Sequence, residues 1–248
     1  LLMKLKKNTK FFYVVLGGSY EQLPLIEYLK SNYKEFTVLT FDKYKDSPAL
    51  NISDRFIKID IRDSKKIFDY IRLNNLKVKG ISSIITEHSI KSINYLSPKL
   101  KLPITSSISV KATESKYFAR NLFKKICDGK IKFLRTNNFY KISKFLKKNN
   151  IEKFILKPDI SSGQRGLFYI NKKEKNLKKF FNLSKKFSIN KKVIIEEYLD
   201  GKELNTVAII KDYKIIKYIV SERNRYINPG LGFGIVYNHT NPFQTTKL

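Results

Sequence analysis

The chain has 248 residues, of which 42% are hydrophobic, including 18 Phe and 15 Tyr; this composition excludes an intrinsically disordered protein and allows one large or two modest domains. The formal net charge is +29, from 50 basic and 21 acidic residues, which invites a nucleic-acid or anionic-membrane partner. Only eight of the basic residues are Arg, the side chain suited to bidentate recognition, and the lysines are spread along the whole chain, so we favour a solvated basic surface.

Residues 10–100 predict strands that alternate with helices. The predicted strands are the β-branched and aromatic runs 10–16, 36–41, 55–59 and 80–85, and the predicted helices cover 64–74 and 88–100. A further helix is indicated after the first strand, where Leu23, Ile26 and Leu29 recur at helical spacing. This alternation predicts an α/β domain with a doubly wound parallel sheet, whose ligands bind at the carboxyl ends of the strands.

Polar residues and glycines stand at the predicted strand ends. Gly17-Gly18 follows the first strand and Asp42 ends the second, which are the positions of the turn and the ribose-binding acid in a dinucleotide site. The full GxGxxG pattern is absent, so we favour a tight turn and an ordinary loop aspartate. Glu87 and His88, after the fourth strand, are candidates for substrate specificity.

The pattern changes after Pro103, where a Ser/Thr-rich stretch covers 105–113. We therefore predict two domains, 1–106 and 107–248. The second region is predicted to contain helices at 114–125, 141–148 and 174–187, strands at 154–157, 166–170 and 192–197, and an antiparallel pair at 204–211 and 214–223. The predicted fold class is thus a doubly wound domain followed by an α+β domain.

Other sequence features exclude several classes of protein. The single cysteine, Cys127, excludes an internal disulfide and fits a reducing compartment, and His88 and His239 have no neighbours at zinc-ligand spacing. The apolar run 11–18 is too short to span a membrane and leads into a glycine turn, so we expect a cytoplasmic protein. The only methionine is Met3 and no closing helix is visible near residue 248, so we expect a C-terminally truncated fragment.

Lys157 and the small-residue loop that follows it carry the first functional signal. Lysine at the end of an apolar strand costs desolvation unless an anion meets it. The loop Ser161-Ser162-Gly163-Gln164-Arg165-Gly166 can aim backbone N–H groups at phosphate oxygens and can close as a lid. The alternatives are a lysine that reaches solvent at a strand exit and an ordinary hairpin loop.

A second signal lies at the end of the strand 192–197. Glu196 and Glu197 stand beside the apolar residue Leu199, a combination that suits adenine, and Glu203 could accept hydrogen bonds from ribose hydroxyls. The alternative is a pair of exposed acids at a strand end. Because the chain is poor in acidic residues, their clustering here adds weight to the nucleotide interpretation.

The order Lys116, Lys157-Pro158, the loop 161–166, Glu196-Glu197-Tyr198-Leu199 and Gly201-x-Glu203 resembles the ATP-grasp superfamily, in particular its carbamoyl-phosphate synthase, biotin carboxylase and amino-acid ligase branches. The resemblance covers roughly 11–240. Residues 10–102 resemble the domain that precedes ATP-grasp, with a strand-Gly-Gly start, Asp42, Asp54 and Leu102-Pro103. The resemblance to ATP-grasp implies a lid subdomain at about 118–195 and the start of a C-terminal subdomain at 196–248.

The resemblance also implies roles for individual residues. Lys116 and Lys157 would contact nucleotide phosphates, and the loop residues Ser161, Ser162, Gly163, Gln164, Arg165 and Gly166 would cover the β- and γ-phosphates. Glu196, Glu197 and Leu199 would line the adenine, Glu203 would hold the ribose, and Arg223 is a candidate for contact with the acyl-phosphate or the substrate. ATP and Mg²⁺ are the implied cofactors.

Two departures from the family pattern affect these expectations. Asn205 stands where relatives often carry an acid, and the acidic magnesium ligands are expected beyond residue 248. Because phosphoryl transfer depends on metal neutralising phosphate charge, this chain alone is expected to bind nucleotide weakly and not to catalyse.

The function implied is the ATP-binding part of an ATP-dependent carboxylate–amine ligase, or a related C–N ligase, that forms an acyl-phosphate. Its partners would be ATP, a small carboxylate and an amine, with no specific nucleic acid and no membrane, and a homodimer is a compatible assembly. Two alternatives are kept: a basic nucleic-acid-binding protein, and a non-catalytic nucleotide-binding module.

Overall fold

The protein forms two compact units, Leu1–Glu114 and Ser115–Leu248, in a computed structural model that describes residues 11–84, 86–126, 131–161, 163, 165–201 and 203–223. Within these ranges, the side chains of Ile126, Glu203, Glu222 and Arg223 are not described. Each unit has its own sheet and its own core, and each is described by itself.

The first unit is built on a parallel sheet of four strands in the order β3-β2-β1-β4. The strands are β1 (Phe11–Leu16), β2 (Phe36–Asp42), β3 (Arg55–Lys58) and β4 (Val78–Ser82). The helices are α1 (Leu23–Asn32), α2 (Ser64–Leu73), α3 (Ile90–Lys99) and α4 (Ser107–Glu114).

Both faces of this sheet are covered by helices because successive side chains of a strand point to opposite faces. In β1, Val14 and Leu16 pack with residues of α2 and α3, whereas Val15 packs with Ile26 and Leu29 of α1. The doubly wound parallel sheet predicted from the sequence is therefore confirmed.

The turn after β1 is filled by the protein's own side chains. Gly17 has a φ of +105°, which glycine adopts without strain, and the buried Gln22 bonds to the backbone of Ile84. The Asp42 carboxylate accepts a hydrogen bond of 2.7 Å from the N–H of Gly18. Gly17-Gly18 and Asp42 thus have structural partners here, as the interpretation of a tight turn and a loop aspartate expects.

The Ser/Thr-rich stretch 105–113 contains a helix, α4, where the sequence analysis placed a domain boundary. The Ser106 hydroxyl accepts a hydrogen bond from the N–H of Ser109, which is a typical N-terminal cap. Val110 is buried, and Glu114 forms an ion pair of 2.6 Å with Lys91 on α3. These contacts tie α4 to the first compact unit, which ends at Glu114.

The second unit contains an antiparallel sheet in the order β5-β8-β6-β7 and a separate two-stranded hairpin. The strands are β5 (Phe133–Thr136), β6 (Lys153–Pro158), β7 (Phe168–Asn171), β8 (Val193–Glu197), β9 (Glu203–Lys211) and β10 (Lys214–Arg223), and the helices are α5 (Lys116–Ile126), α6 (Tyr140–Lys148) and α7 (Leu177–Phe187). The sequence analysis missed β5, whose four residues are too few to show a clear period.

The core of the second unit lies on one face of its four-stranded sheet. Phe154 and Leu156 of β6 and Val193 and Ile195 of β8 pack there against α6 and α7. The opposite face therefore receives the alternate residues of the same strands, which are Ile155 and Lys157 on β6 and Ile194 and Glu196 on β8. The predicted combination of a doubly wound domain and an α+β domain is confirmed.

The hairpin β9–β10 turns at Asp212 and Tyr213, which both have positive φ values of 49° and 62°. Two successive turn residues with positive φ are typical of a type I′ turn, whose twist matches that of the strands.

None of the helices in the described ranges is both long enough and apolar enough to cross a membrane.

Candidate functional site

Lys157 lies near the end of β6, on the sheet face opposite the core of the second unit. Its side chain is only 14% exposed, and its ammonium Nζ lies 2.8 Å from Oε2 of Glu196. β6 and β8 are antiparallel neighbours, and Lys157 lies opposite Ile194. Glu196 is two residues from Ile194 on β8, so its side chain is on the same face of the sheet. The anion that the buried lysine requires is therefore provided, in this structure, by the neighbouring strand.

Glu196 is 2% exposed and has a second cationic partner, Arg120 of α5. The guanidinium donates two hydrogen bonds, from Nε to Oε1 at 2.8 Å and from Nη2 to Oε2 at 3.0 Å. Burial by itself raises the pKa of Glu196, but the Arg120 hydrogen bonds and the charges of Lys157 and Arg120 outweigh it and hold this pKa below its ordinary value. Two cations share one carboxylate, so the cluster carries one net positive charge.

Asp159 fastens the start of α5 to the residues after β6. The carboxylate is fully buried and accepts hydrogen bonds from the Ser115 hydroxyl at 2.8 Å, the Tyr117 N–H at 3.0 Å, the Asn190 amide at 2.8 Å and the Arg135 guanidinium at 3.3 Å. Burial raises its pKa, and these four donors together lower it below the ordinary value. Asp159 thus holds the start of α5 in place, and with it Lys116, the first residue of that helix.

Lys116 lies against the predicted loop. Its Nζ donates a hydrogen bond of 2.8 Å to the carbonyl of Ser161, and its backbone N–H donates to the carbonyl of Asp159 at 3.2 Å. Lys116 and Lys157 therefore both lie at the carboxyl-terminal side of β6, and their shared role in phosphate binding stays a prediction.

The two glycines of the loop 161–166 differ from each other in packing. Gly163 has a φ of +67° and open space around it, whereas Gly166, with a φ of +74°, is packed against Phe187 and Pro158. The hydroxyl of Ser184 also donates a hydrogen bond to the carbonyl of Gly166. Arg165 is exposed, and Ser162 and Gln164 lie outside the described residues.

Glu197 is the last residue of β8, and Tyr198 and Leu199 follow it. The Glu197 carboxylate accepts a hydrogen bond of 2.8 Å from the N–H of Lys132, and the Leu199 side chain is 57% exposed. The rings of Tyr198 and Tyr169 meet edge to face at 5.7 Å. Both tyrosines line an open cavity of about 210 Å³, together with Lys153, Phe154, Ile170 and Asn171.

Glu203 and Arg223, the predicted ribose and substrate contacts, lie opposite each other in the β9–β10 hairpin. Their backbones are thus register partners, although they are 20 positions apart in the sequence. Their side chains lie outside the described part of the structure, so the predicted contacts stay predictions.

A larger cavity of about 480 Å³ lies along β5, an edge strand of the sheet. It is lined by Tyr117, Asn121, Lys124, Ile131, Lys132, Phe133, Leu134, Arg135, Phe145 and Asn149. None of the predicted site residues lines it, so size alone does not point to the candidate site. The candidate site at β6 and β8 is distinguished instead by its buried charges.

The sequence analysis did not identify Arg120 or Asp159. One signal for Arg120 was available, since it follows Lys116 by four positions on a predicted helix and is one of only eight arginines in a lysine-rich chain. Residues four apart share a helix face, so Arg120 was a candidate for the same site. Asp159 had only its position after Lys157-Pro158 to mark it.

A family model for the phosphoribosylglycinamide synthetase ATP-grasp (A) domain matches residues 114–229. The chain carries an ATP-grasp domain. The matched range begins at the last residue of α4 and includes both sheets of the second unit. A comparison of the sequence with curated proteins gives no significant match.

Solved structures resemble the chain across both units. An N5-carboxyaminoimidazole synthetase from Staphylococcus aureus, complexed with ADP, is 19% identical with a TM-score of 0.69, over 88% of this chain and 56% of that one. A phosphoribosylglycinamide synthetase from Anaerococcus prevotii is 16% identical with a TM-score of 0.61, over 88% and 53%. An L-amino acid ligase from Bacillus licheniformis is 12% identical with a TM-score of 0.62, over 88% and 52%.

These TM-scores establish a shared fold, and the chain spans about half the length of each matched structure.

The residues of the ATP-grasp domain described above fit an anionic ligand, because the cluster of Lys157, Arg120 and Glu196 has one positive charge in excess. They do not form a metal site: among the described residues, no three His, Cys, Asp or Glu side chains lie close enough to hold an ion together.

The depressed pKa values of Glu196 and Asp159 predict a stability that falls in acid. The unfolded chain takes up protons at the ordinary pKa values of 4.5 and 3.8, whereas the folded carboxylates stay ionised to lower pH. Their stabilisation is therefore fully present above about pH 5.5, where even the unfolded carboxylates are ionised, and is lost as the pH falls through these values toward the folded pKa values.

Urea unfolding between pH 7 and pH 3 measures this dependence. Glu196→Gln is expected to reduce the slope of unfolding free energy against pH below pH 5. Glu152→Gln is the control, because Glu152 is an exposed glutamate just before β6 that pairs with Lys172 at 2.9 Å. Equal slopes for the two variants would contradict the prediction.

Proposed function

We propose that this chain is the ATP-binding portion of an ATP-dependent carboxylate–amine ligase or a related C–N ligase. The observation that supports the proposal most directly is the buried Lys157, which lies with Arg120 and Glu196 in a cluster of net positive charge, just before a loop with two glycines. A site of this kind attracts phosphate, because a positive charge with little access to water is weakly screened. The ATP-grasp domain match supports ATP as the source of that phosphate.

The proposed reaction has two steps. A substrate carboxylate oxygen attacks the γ-phosphorus of ATP, which forms an acyl-phosphate and releases ADP; an amine then attacks the carbonyl carbon, and phosphate leaves. Lys116 and Lys157 would stabilise the charge on the phosphoryl oxygens, since catalysis of phosphoryl transfer depends mainly on positioning and electrostatics. The backbone N–H groups of the loop 161–166 would bind the same oxygens.

The other predicted contacts belong to this proposal. Glu196, Glu197 and Leu199 would line the adenine, where the cavity beside Tyr198 and Tyr169 offers an aromatic wall. Glu203 would hold the ribose, and Arg223 would contact the acyl-phosphate or the substrate.

Mg²⁺ would neutralise phosphate charge when it is bound with the nucleotide, although the described residues form no metal site. The domain assignment of 1–106 and 107–248, the homodimer, the cytoplasmic location and the absence of a specific nucleic-acid partner stay predictions. Glu87 and His88 stay candidates for specificity.

Limited trypsin digestion tests the proposal. Cleavage after the exposed Arg165, followed by mass spectrometry, is expected to slow as ATP is raised into the millimolar range, because phosphate contacts order the loop. Lys157→Ala is expected to raise the ATP concentration at half-protection about 10- to 100-fold, since a hydrogen bond to a charged group contributes about 1.5–3 kcal/mol.

Lys172→Ala is the matched control. Like Lys157, Lys172 pairs with a glutamate, Glu152 at 2.9 Å, but it lies on the surface. This variant is expected to keep the wild-type midpoint. Cleavage at Arg165 that does not respond to ATP, together with salt-sensitive retention on immobilised DNA or RNA, would instead support the basic nucleic-acid-binding alternative.

A further inference from the structure

Glu196 has more cationic partners than its own charge requires. Arg120 holds both carboxylate oxygens, at 2.8 and 3.0 Å, whereas Lys157 contacts one of them, at 2.8 Å. One bidentate arginine already matches the charge and the geometry of a carboxylate. The contact of Lys157 with Glu196 is therefore the more easily exchanged of the two.

The exchange matters because Glu196 is buried. Removing one partner from a buried ion pair leaves an uncompensated charge, at a cost of about 3–5 kcal/mol. If Lys157 were the only partner of Glu196, its movement toward a phosphate would incur that cost, and the lysine would remain on the carboxylate. Because Arg120 stays bidentate on Glu196, the carboxylate remains neutralised when Lys157 moves.

We infer that Arg120 is a positioning residue for nucleotide binding, which neutralises Glu196 and thereby leaves Lys157 available to a phosphate group. This inference depends on the proposed function, since it requires that Lys157 bind a nucleotide phosphate. Arg120 itself makes no contact with the nucleotide in this scheme, and its effect is transmitted entirely through Glu196.

The inference predicts a particular pattern of variants. In Arg120→Gln, Lys157 becomes the sole cationic partner of Glu196 and is held there, so ATP binding weakens. In Arg120→Gln combined with Glu196→Gln, no buried carboxylate remains to hold Lys157, so the loss of Arg120 has no further effect. A residue that acted only by supporting the fold, or that bound phosphate itself, would weaken ATP binding in both backgrounds.

The experiment is a double-mutant cycle on the full chain, with the ATP concentration at half-protection of Arg165 from trypsin as the readout. Arg120→Gln is expected to raise this midpoint about 10-fold or more, the effect of one charge-assisted hydrogen bond. The double variant is expected to match Glu196→Gln within about threefold, and Arg120→Lys to lie between Arg120→Gln and the wild type, because it keeps the charge but loses the bidentate fork. Hydrogen exchange of β6 and β8 checks that each variant is folded.

The outcomes separate this inference from the proposed function. An Arg120→Gln midpoint equal to the wild type, or a double variant at least tenfold weaker than Glu196→Gln, would overturn the role of Arg120 while ATP protection by Lys157 stands. Absence of ATP protection in the wild type would overturn both. If Arg120→Gln alone does not fold, Arg120→Lys takes its place in the cycle: a midpoint equal to the wild type overturns the role of Arg120, and a raised midpoint that disappears in the Glu196→Gln background supports it.

Discussion

Replacement of Asp159 by alanine is expected to destabilise the second unit by about 3–5 kcal/mol, the usual cost of removing one partner from a buried ion pair. Asp159 is fully buried, and its carboxylate accepts four hydrogen bonds from Ser115, Tyr117, Arg135 and Asn190. Alanine would leave these donors without their acceptor and the Arg135 charge without its partner. Because two of the donors lie at the start of α5, we also expect that end of the helix to open.

Native-state hydrogen exchange measures the effect locally, which matters in a chain with two units. The most protected amides of β8 are expected to lose about 3–5 kcal/mol of protection, while those of β1 in the first unit serve as an internal reference. Asp200→Ala is the control, because Asp200 is exposed and a surface change of this kind is usually within about 0.5 kcal/mol of neutral. Similar protection of β8 in the two variants would show that the buried network contributes little.

Replacement of Gly166 by alanine is expected to cost about 2–5 kcal/mol, from about 1–2 kcal/mol for a left-handed backbone conformation and about 1–3 kcal/mol for overpacking. The φ of Gly166 is +74°, and an added Cβ would lie 2.9 Å from the Phe187 ring, 3.2 Å from Pro158 and 3.2 Å from the Ser184 backbone. The backbone of Ser184 cannot move easily, because it is part of α7 in the core. The loop end would therefore have to shift.

Gly163→Ala is the matched control within the same loop. Its φ of +67° carries a similar backbone cost, but no atom lies within 4 Å of an added Cβ, so we expect a loss of only about 1–2 kcal/mol. Urea unfolding followed by hydrogen exchange of α7 compares the two variants. If Gly163→Ala is as destabilising as Gly166→Ala, then the packing of Gly166 against α7 is not what distinguishes the two glycines.

The parts of the site that lie close together in the sequence were predictable. Lys157 at the end of an apolar strand indicated a missing anion, because burial of an unpaired ammonium is costly. Gly163 and Gly166 indicated a loop that can aim backbone N–H groups, and both have positive φ values in the structure. The same was true of the first unit, where alternating strands and helices predicted the doubly wound sheet. Such features depend on local period and composition, which a single sequence displays.

The identity of the anion beside Lys157 was not predictable. The sequence analysis assigned Glu196 to the adenine, and the role of each predicted site residue stays a proposal. The structure places the Glu196 carboxylate in an ion cluster with Lys157 and with Arg120, which is 76 positions away in the sequence. No periodic pattern indicates which buried acid will pair with which base, since the pairing depends on strand order and on where α5 lies.

The sequence by itself thus determined the alternation of strands and helices in the first unit, the two-part organisation, and the lysine and glycine loop that suggest a triphosphate site. Tertiary structure alone decided that Asp159 anchors α5, that α4 belongs with the first unit and that Arg120 shares Glu196 with Lys157. The physical reason is that strands and turns form from neighbouring residues, whereas the strength of a charge interaction depends on burial and distance. Both of these are set only when β5, β8 and β6 align in one sheet.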